Sequence, residues 1–185
     1  MIPTLSVSFV DLDYRIFTFL NGLGGHSQVW DFIYVALAEY VMFLMIGGLA
    51  LFVVLKKENK RWIVSLQALT AAFIGRALII SLIRAFFFRA RPFVDGVVTQ
   101  LVAHNPAEAS FPSGHTTVMF AIAFSLFYVN KKWAIIYLIL ATVSAISRVI
   151  VGVHFPMDIA GGILVGLLSA LISKAVFDFW IKRRG

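Results

Sequence analysis

Three short polar strings interrupt an otherwise apolar chain. The first is Arg84, six residues, then Arg91-Pro92. The second is Pro112-Ser113-Gly114-His115. The third is Ser147-Arg148, five residues, His154, three residues, Asp158. Guanidinium groups offer forked donors that match phosphate oxygens, and Arg84, Arg91 and Arg148 supply three. Arg84 and Arg91 stand seven apart, about two helical turns, so a continuous helix would put them on one face. Ser113 and Gly114 precede a predicted helix, where backbone N–H groups and the helix dipole favour an anion. Pro156 is placed to open the last helix, with Asp158 in its first turn. A carboxylate there can hold one imidazole nitrogen of His154 and leave the other free to attack. His115 sits beside the anion site as a proton carrier. The chemistry these residues suit is phosphoryl transfer: one histidine attacks phosphorus and the other protonates the leaving oxygen.

Plainer readings accompany each string. Pro-Ser-Gly-His alone is also a helix cap. His154 and Asp158 have a spacing that two metal ligands use, but Pro156 argues against one helix running through both, and no third ligand is evident. No metal and no other cofactor is therefore expected. Glu39, Arg76 and Arg89 stand in second place. Glu39 and Arg76 lie inside apolar runs, where an ion pair between neighbouring helices competes with a part in the pocket, and Glu39 has the reach to approach Arg84. Arg89 and Glu108 either contact a second phosphate or face water, with water preferred. His26 and His104 read as loop residues, Phe86 to Phe88 as lipid-facing or packing residues, and Gly161, Gly162 and Gly166 as sites of close helix packing.

The elements that must position these residues are apolar helices. Of 185 residues, 61% are hydrophobic, and the mean hydropathy is +0.92. Soluble domains are about half apolar, so the sequence predicts an all-α integral membrane protein, a single domain over residues 1–185. A spanning helix needs ~20 apolar residues. Five stretches qualify, at about 30–55, 62–88, 115–129, 133–151 and 157–181, the third of them short. Before them, about 10–25 reads as an amphipathic helix lying at the interface. The N-terminus carries neither the basic region nor the cleavage site of a secretory signal peptide.

The net charge of +7 does not point to nucleic acid, because the basic residues cluster beside the apolar runs. Lys56 to Arg61, Lys131-Lys132 and Lys182 to Arg184 fall on one side if the spans alternate. The positive-inside rule makes that side cytoplasmic. The N-terminus is then outside and the C-terminus inside, and all four histidines collect on the external face. With no cysteine, thiol chemistry is excluded.

Taken together, the three strings resemble the signature of the type 2 phosphatidic acid phosphatase superfamily, which also contains the vanadium haloperoxidases. The match runs from Arg84 to Asp158. One position departs, since Arg84 stands where the family has Lys. The resemblance implies a six-helix core, no metal and a phospho-histidine intermediate. Carried over by position, His154 is the nucleophile, Asp158 its orienting carboxylate and His115 the general acid. Arg84, Arg91, Ser113, Gly114 and Arg148 bind phosphate. The stretch "RPFVDGVVTQLVAHNPAEASFPSGHTT" and the early "AEY" further resemble bacterial undecaprenyl-diphosphate phosphatases of the bacitracin-resistance type. That implies hydrolysis of undecaprenyl diphosphate to the monophosphate and phosphate on the outer face of the plasma membrane, in lipid-carrier recycling for peptidoglycan synthesis. Phosphatidylglycerophosphate or phosphatidic acid phosphatases, lipid phosphotransferases and a non-enzymatic lipid transporter remain alternatives. The expected partners are the lipid substrate and the bilayer.

Overall fold

The computed structural model describes residues 9–55 and 61–183. Those residues form helices and connecting loops without a strand. The helices are α1 (Phe9–Asn21), α2 (Gln28–Glu39), α3 (Val41–Leu55), α4 (Arg61–Phe73), α5 (Ile80–Phe86), α6 (Pro92–Asp95), α7 (Gly114–Leu126), α8 (Lys131–Ile150) and α9 (Pro156–Lys182). A π-helical segment, Ile74–Ile79, joins α4 to α5. Trp62–Phe86, α8 and α9 are each long and apolar enough to cross a membrane. α2 and α3 together make a fourth candidate, bent by 49°.

The predicted span at 30–55 is therefore not one straight helix. It breaks at Tyr40, which separates α2 from α3. Where an interfacial helix is predicted at about 10–25, α1 runs from Phe9 to Asn21, and its inward side is Asp13, Phe17 and Asn21. The cationic cluster Lys56, Lys57 and Lys60, with Arg184, lies outside the described residues.

The short α7 is the core of the bundle rather than part of its wall. It packs against α4, α8 and α9, and ten of its thirteen residues are buried. A helix surrounded on all sides needs no polar face. Small residues let α9 approach it closely. A Cβ at Gly162 would stand 2.9 Å from the Ser113 carbonyl oxygen, and one at Gly166 would stand 3.0 Å from the Ala121 nitrogen. These contacts match the expectation of close glycine packing. Polar side chains tie the helices together where lipid supplies no partner. Tyr137 donates its hydroxyl to the Met45 carbonyl (3.0 Å), and Ser173 to that of Gln67 (2.8 Å).

The turn between α8 and α9 carries His154. Gly152 takes a φ of +80° there, a conformation glycine adopts without steric cost. Any Cβ at that position would also collide with the Thr99 carbonyl. Asn21, at the end of α1, donates to both the Thr99 and Ile150 carbonyls (2.8 and 2.9 Å). The N-terminal helix thus locks the turn from outside.

Candidate active site

Residues from all three strings meet at one end of the bundle, around a cavity of about 320 Å³. Its wall includes Arg84, Arg91, Gly114, His115, Arg148 and His154, with Arg76, His104 and Glu108. The sequence places the arginine pair on one helix face, and the structure corrects this. α5 stops at Phe86, with Phe87 extended (φ −136°, ψ 108°). Arg91 is extended as well (φ −77°, ψ 155°), immediately before the proline that opens α6. A residue before proline is pushed out of the helical region. Arg84 and Arg91 therefore reach the cavity from a helix end and from a non-helical strap. Arg84 donates to the Pro112 carbonyl at 2.9 Å, and Arg91 to that of Val153 at 3.1 Å.

His154 and Asp158 form a buried dyad. Their exposures are 2% and 0%, and Nδ1 of the histidine lies 3.4 Å from Oδ2 of the aspartate. Pro156 is the first residue of α9, so Asp158 sits in its first turn. Ser110, which belongs to none of the three strings, donates its hydroxyl to Asp158 Oδ2 and lies 3.3 Å from His154 Nδ1. With Nδ1 occupied, Nε2 is the free nitrogen. Burial holds the His154 imidazole well below its ordinary pKa, against the opposing pull of Asp158. Arg148 and Arg91 add to the lowering. The neutral ring is therefore the resting form, which is the form a nucleophile needs.

Ser113 occupies the N-cap of α7, but its side chain makes no cap bond. Its hydroxyl accepts from Thr116 (3.0 Å), and its backbone N–H donates to the Asp158 carbonyl (3.0 Å). That N–H is thus already engaged, and Gly114 is the residue of the pair on the cavity wall. A Cβ on Gly114 would stand 2.7 Å from Arg76 Nε. Glycine here is what lets a guanidinium lie across the start of the helix.

The secondary candidates sort differently from the sequence reading. Glu39 neither pairs with Arg76 nor reaches Arg84. At the end of α2 it meets Arg148 (3.0 Å), whose Nη1 also donates to the Ala38 carbonyl (2.9 Å). Arg76 lies on the cavity wall. Arg89 turns away from the cavity to Asp13 and Asp158. Glu108 approaches Arg91 at 3.5 Å and borders the cavity, rather than facing water alone. His104 is more than a loop residue, because its Nε2 lies 3.3 Å from Arg148 Nη2. His26 binds the Gly22 carbonyl locally, as expected. Among the described residues, no group of three or more His, Asp or Glu side chains is placed to hold a metal ion.

A helical membrane bundle with a buried His–Asp dyad facing an arginine-lined cavity defines a phosphoryl-handling membrane protein. A family model described as the PAP2 superfamily matches residues 65–182, and the chain belongs to that superfamily. It is 33% identical over 175 residues to the bacitracin transport permease protein BcrC of Bacillus licheniformis, covering 94% of this chain and 82% of that one. It is 34% identical over 164 residues to the undecaprenyl-diphosphatase BcrC of Bacillus subtilis strain 168, covering 87% and 82%. Among solved structures, LpxE of Aquifex aeolicus superposes with a TM-score of 0.69 at 27% identity, covering 89% of this chain and 95% of that one.

Proposed function

We propose that this PAP2 protein hydrolyses a polyprenyl diphosphate, undecaprenyl diphosphate in the first place, to the monophosphate and inorganic phosphate. The observation that carries the reading is the cavity wall. Four guanidinium groups, Arg76, Arg84, Arg91 and Arg148, border it together with Gly114 at the start of α7. Four guanidinium groups carry more positive charge than one phosphate balances, and a diphosphate has a second group to hold. Arg89 drops out of that count because it faces elsewhere, and Arg76 replaces it. The relatives at 33% and 34% identity carry names of two kinds, a permease and a diphosphatase. Transport alone leaves the His154–Asp158 dyad without a task, so the geometry favours the enzyme.

In this reading Nε2 of His154 attacks the terminal phosphorus while its Nδ1–H is held by Asp158. The bond from phosphorus to the bridging oxygen breaks. The lipid monophosphate leaves, with its oxygen protonated by His115 where it needs a proton. Water, deprotonated by the same His115, then attacks the phospho-histidine, releases phosphate and restores the neutral ring. Arg84, Arg91 and Arg148 balance the charge on the transferring group throughout, and the start of α7 adds its dipole. Ser113 has its hydroxyl proton left to donate. No step calls on a metal ion.

The test is a competition assay in mixed micelles at equal surface concentration. Undecaprenyl diphosphate is expected to exceed phosphatidylglycerophosphate and phosphatidic acid by about 100-fold or more in kcat/KM. That estimate follows because unpaired buried cations penalise the smaller head group. Equal turnover of phosphatidylglycerophosphate would return the protein to a general lipid phosphatase.

In the same reading the site lies on the outer side of the plasma membrane, with five crossings, an interfacial α1, the N-terminus out and the C-terminus in. Its support is the separation of charge. Lys131 and Lys132 begin α8 and Lys182 ends α9, at the helix ends opposite His154. Single cysteines placed in this cysteine-free chain give the check. An impermeant thiol reagent is expected to label position 106 in intact cells but position 131 only after lysis. The reverse pattern would invert the topology.

A further inference from the structure

Asp158 is wholly buried, and its two oxygens are held by different groups. Oδ2 takes the Ser110 hydroxyl and the Phe155 N–H (2.8 Å), and it faces His154 Nδ1. Oδ1 takes Arg89 Nη1 at 2.9 Å. The other arm of Arg89, Nη2, goes to Asp13 Oδ2 on α1. Asp13 Oδ1 accepts the N–H of Met157 (2.8 Å), the second residue of α9. The Arg89 guanidinium lies 4.2 Å from the centre of the Phe155 ring, and that ring rests on Phe17 of α1 at 5.0 Å. The Arg89 carbonyl accepts the N–H of Ser110 (2.8 Å). One residue therefore touches every part that sets the dyad: the carboxylate, the serine beside it and the segment that follows His154.

We propose that Arg89, anchored by Asp13 of the N-terminal helix, is a positioning residue that orients Asp158 and through it the attacking histidine. Neither residue belongs to the three strings. Arg89 falls in the six-residue spacer between Arg84 and Arg91, and Asp13 lies outside the matched residues 65–182. The physical reason is the partner balance of a buried carboxylate. Without Arg89, Oδ1 loses its charged donor, and the carboxylate is free to rotate towards Ser110 and the Phe155 N–H. Nδ1 of His154 then loses its fixed acceptor, and Nε2 its aim. Asp13 plays the same part for Arg89, holding the guanidinium over Phe155 and neutralising a charge that would otherwise act on the dyad alone. The N-terminal helix is thereby a component of the active site rather than a membrane anchor only.

The proposal rests on His154 being the attacking group, and the experiment separates the two. The full-length protein in detergent is assayed as wild type, Asp13→Asn, Arg89→Gln and Arg89→Lys. Substrates are a polyprenyl diphosphate and phosphatidylglycerophosphate, across a range of pH. Arg89→Gln is expected to lower kcat by roughly 10- to 100-fold with KM within about twofold, the scale seen when a partner that orients a site histidine is removed. Asp13→Asn is expected to lower it about three- to tenfold by the same argument one step further out. Arg89→Lys should restore part of the loss. In the Arg89→Gln background, Asp13→Asn should add little, since the two act through one chain of contacts.

The pH profile gives a signature that general destabilisation does not. His154 faces Asp158 from α9, Arg148 from α8, His115 from α7 and Arg91 from the strap. Glu108 and Glu39 lie beyond these, and Arg89 with Asp13 lies behind Asp158. Removing the Arg89 charge makes a protonated His154 easier to form, so the acid limb of kcat moves to higher pH. Removing the Asp13 charge does the opposite. Each shift is expected to reach about half a unit.

A loss of kcat equal on both substrates, with opposed acid-limb shifts, supports the positioning role whichever lipid is preferred. Unchanged kcat, a rise in KM alone, or shifts in the same direction would overturn it. If Arg89→Gln does not give a folded protein by thermal melt, Asp13→Asn and Arg89→Lys decide on the same criteria. His154→Ala that still forms a phospho-enzyme would instead overturn the attack itself.

Discussion

His154→Ala is expected to lower kcat by at least ~10⁴-fold, the scale on which losing a nucleophile or its base acts in comparable catalytic units. It should also abolish the acid-labile, base-stable phospho-enzyme that the proposed mechanism predicts for wild-type protein quenched during turnover. The prediction follows from burial and direction together. The imidazole has 2% exposure, a carboxylate on Nδ1 and a cavity of guanidinium groups before it. Because burial depresses its pKa, the reactive neutral ring persists as pH falls through about 6.5, where an ordinary histidine is half protonated. The sign is definite: lowering the pKa moves the acid limb of kcat to lower pH, so full activity should extend below pH 6. EDTA should leave both turnover and the phospho-enzyme intact. Loss of activity in EDTA that a divalent ion restores would rule out the metal-free route, and a phospho-enzyme in His154→Ala would move the attack to another residue.

How far the sequence reveals this site depends on the range over which spacing carries geometry. Within one turn of helix it carries a great deal. An offset of four positions with a proline inside it fixes His154 and Asp158 as a turn residue and a first-turn carboxylate, and the structure has them so. Apolar runs also mark the long helices near their observed ends. Spacing fails where the backbone leaves the helix. The strap after Phe86 turns Arg89 and Arg91 in opposite senses, one to Asp158 and one to the cavity, although they are two residues apart. It fails again across the bundle. Glu39 and Arg148 are 109 residues apart, and nothing local in "AEY" shows that Tyr40 breaks the helix and leaves Glu39 at its end. Ser110 lies in a loop with no periodicity to place it. Arg76 reaches the cavity from the π-helical segment Ile74–Ile79. An inserted π turn rotates the residues beyond it relative to an α-helical count, so a wheel drawn from sequence misplaces them.

The second large effect is expected at Arg148. Its guanidinium is fully buried, with Nη1 on the Ala38 carbonyl and Glu39 and Nη2 on His104. Nε has no partner among the described residues, while Nη1 already serves two acceptors. The planar fork therefore spans α2, the loop and the cavity at once. A lysine ammonium is a single point and cannot reach three directions from one position. Arg148→Lys is expected to lower kcat/KM by roughly 10²- to 10³-fold, the cost of losing one preorganised donor at a developing charge. It should also reduce stability by about 1–3 kcal/mol as buried acceptors lose their partner. Glu39→Gln separates these two parts. The amide can still accept from Arg148, so the scaffold should survive, with thermal stability close to wild type. The negative charge that offsets Arg148 is gone, and the cavity becomes more positive. Substrate and inorganic phosphate should then both bind more tightly, and inhibition by product phosphate should rise by about tenfold for a charge change worth ~1.4 kcal/mol. Steady-state kinetics with added phosphate, beside thermal melts in detergent, read both quantities. If Glu39→Gln weakens phosphate inhibition, Glu39 does not act by tempering Arg148. If Arg148→Lys keeps full kcat/KM, the guanidinium serves the α2–α8 contact alone, and the charge on the transferring phosphate is balanced by Arg84 and Arg91.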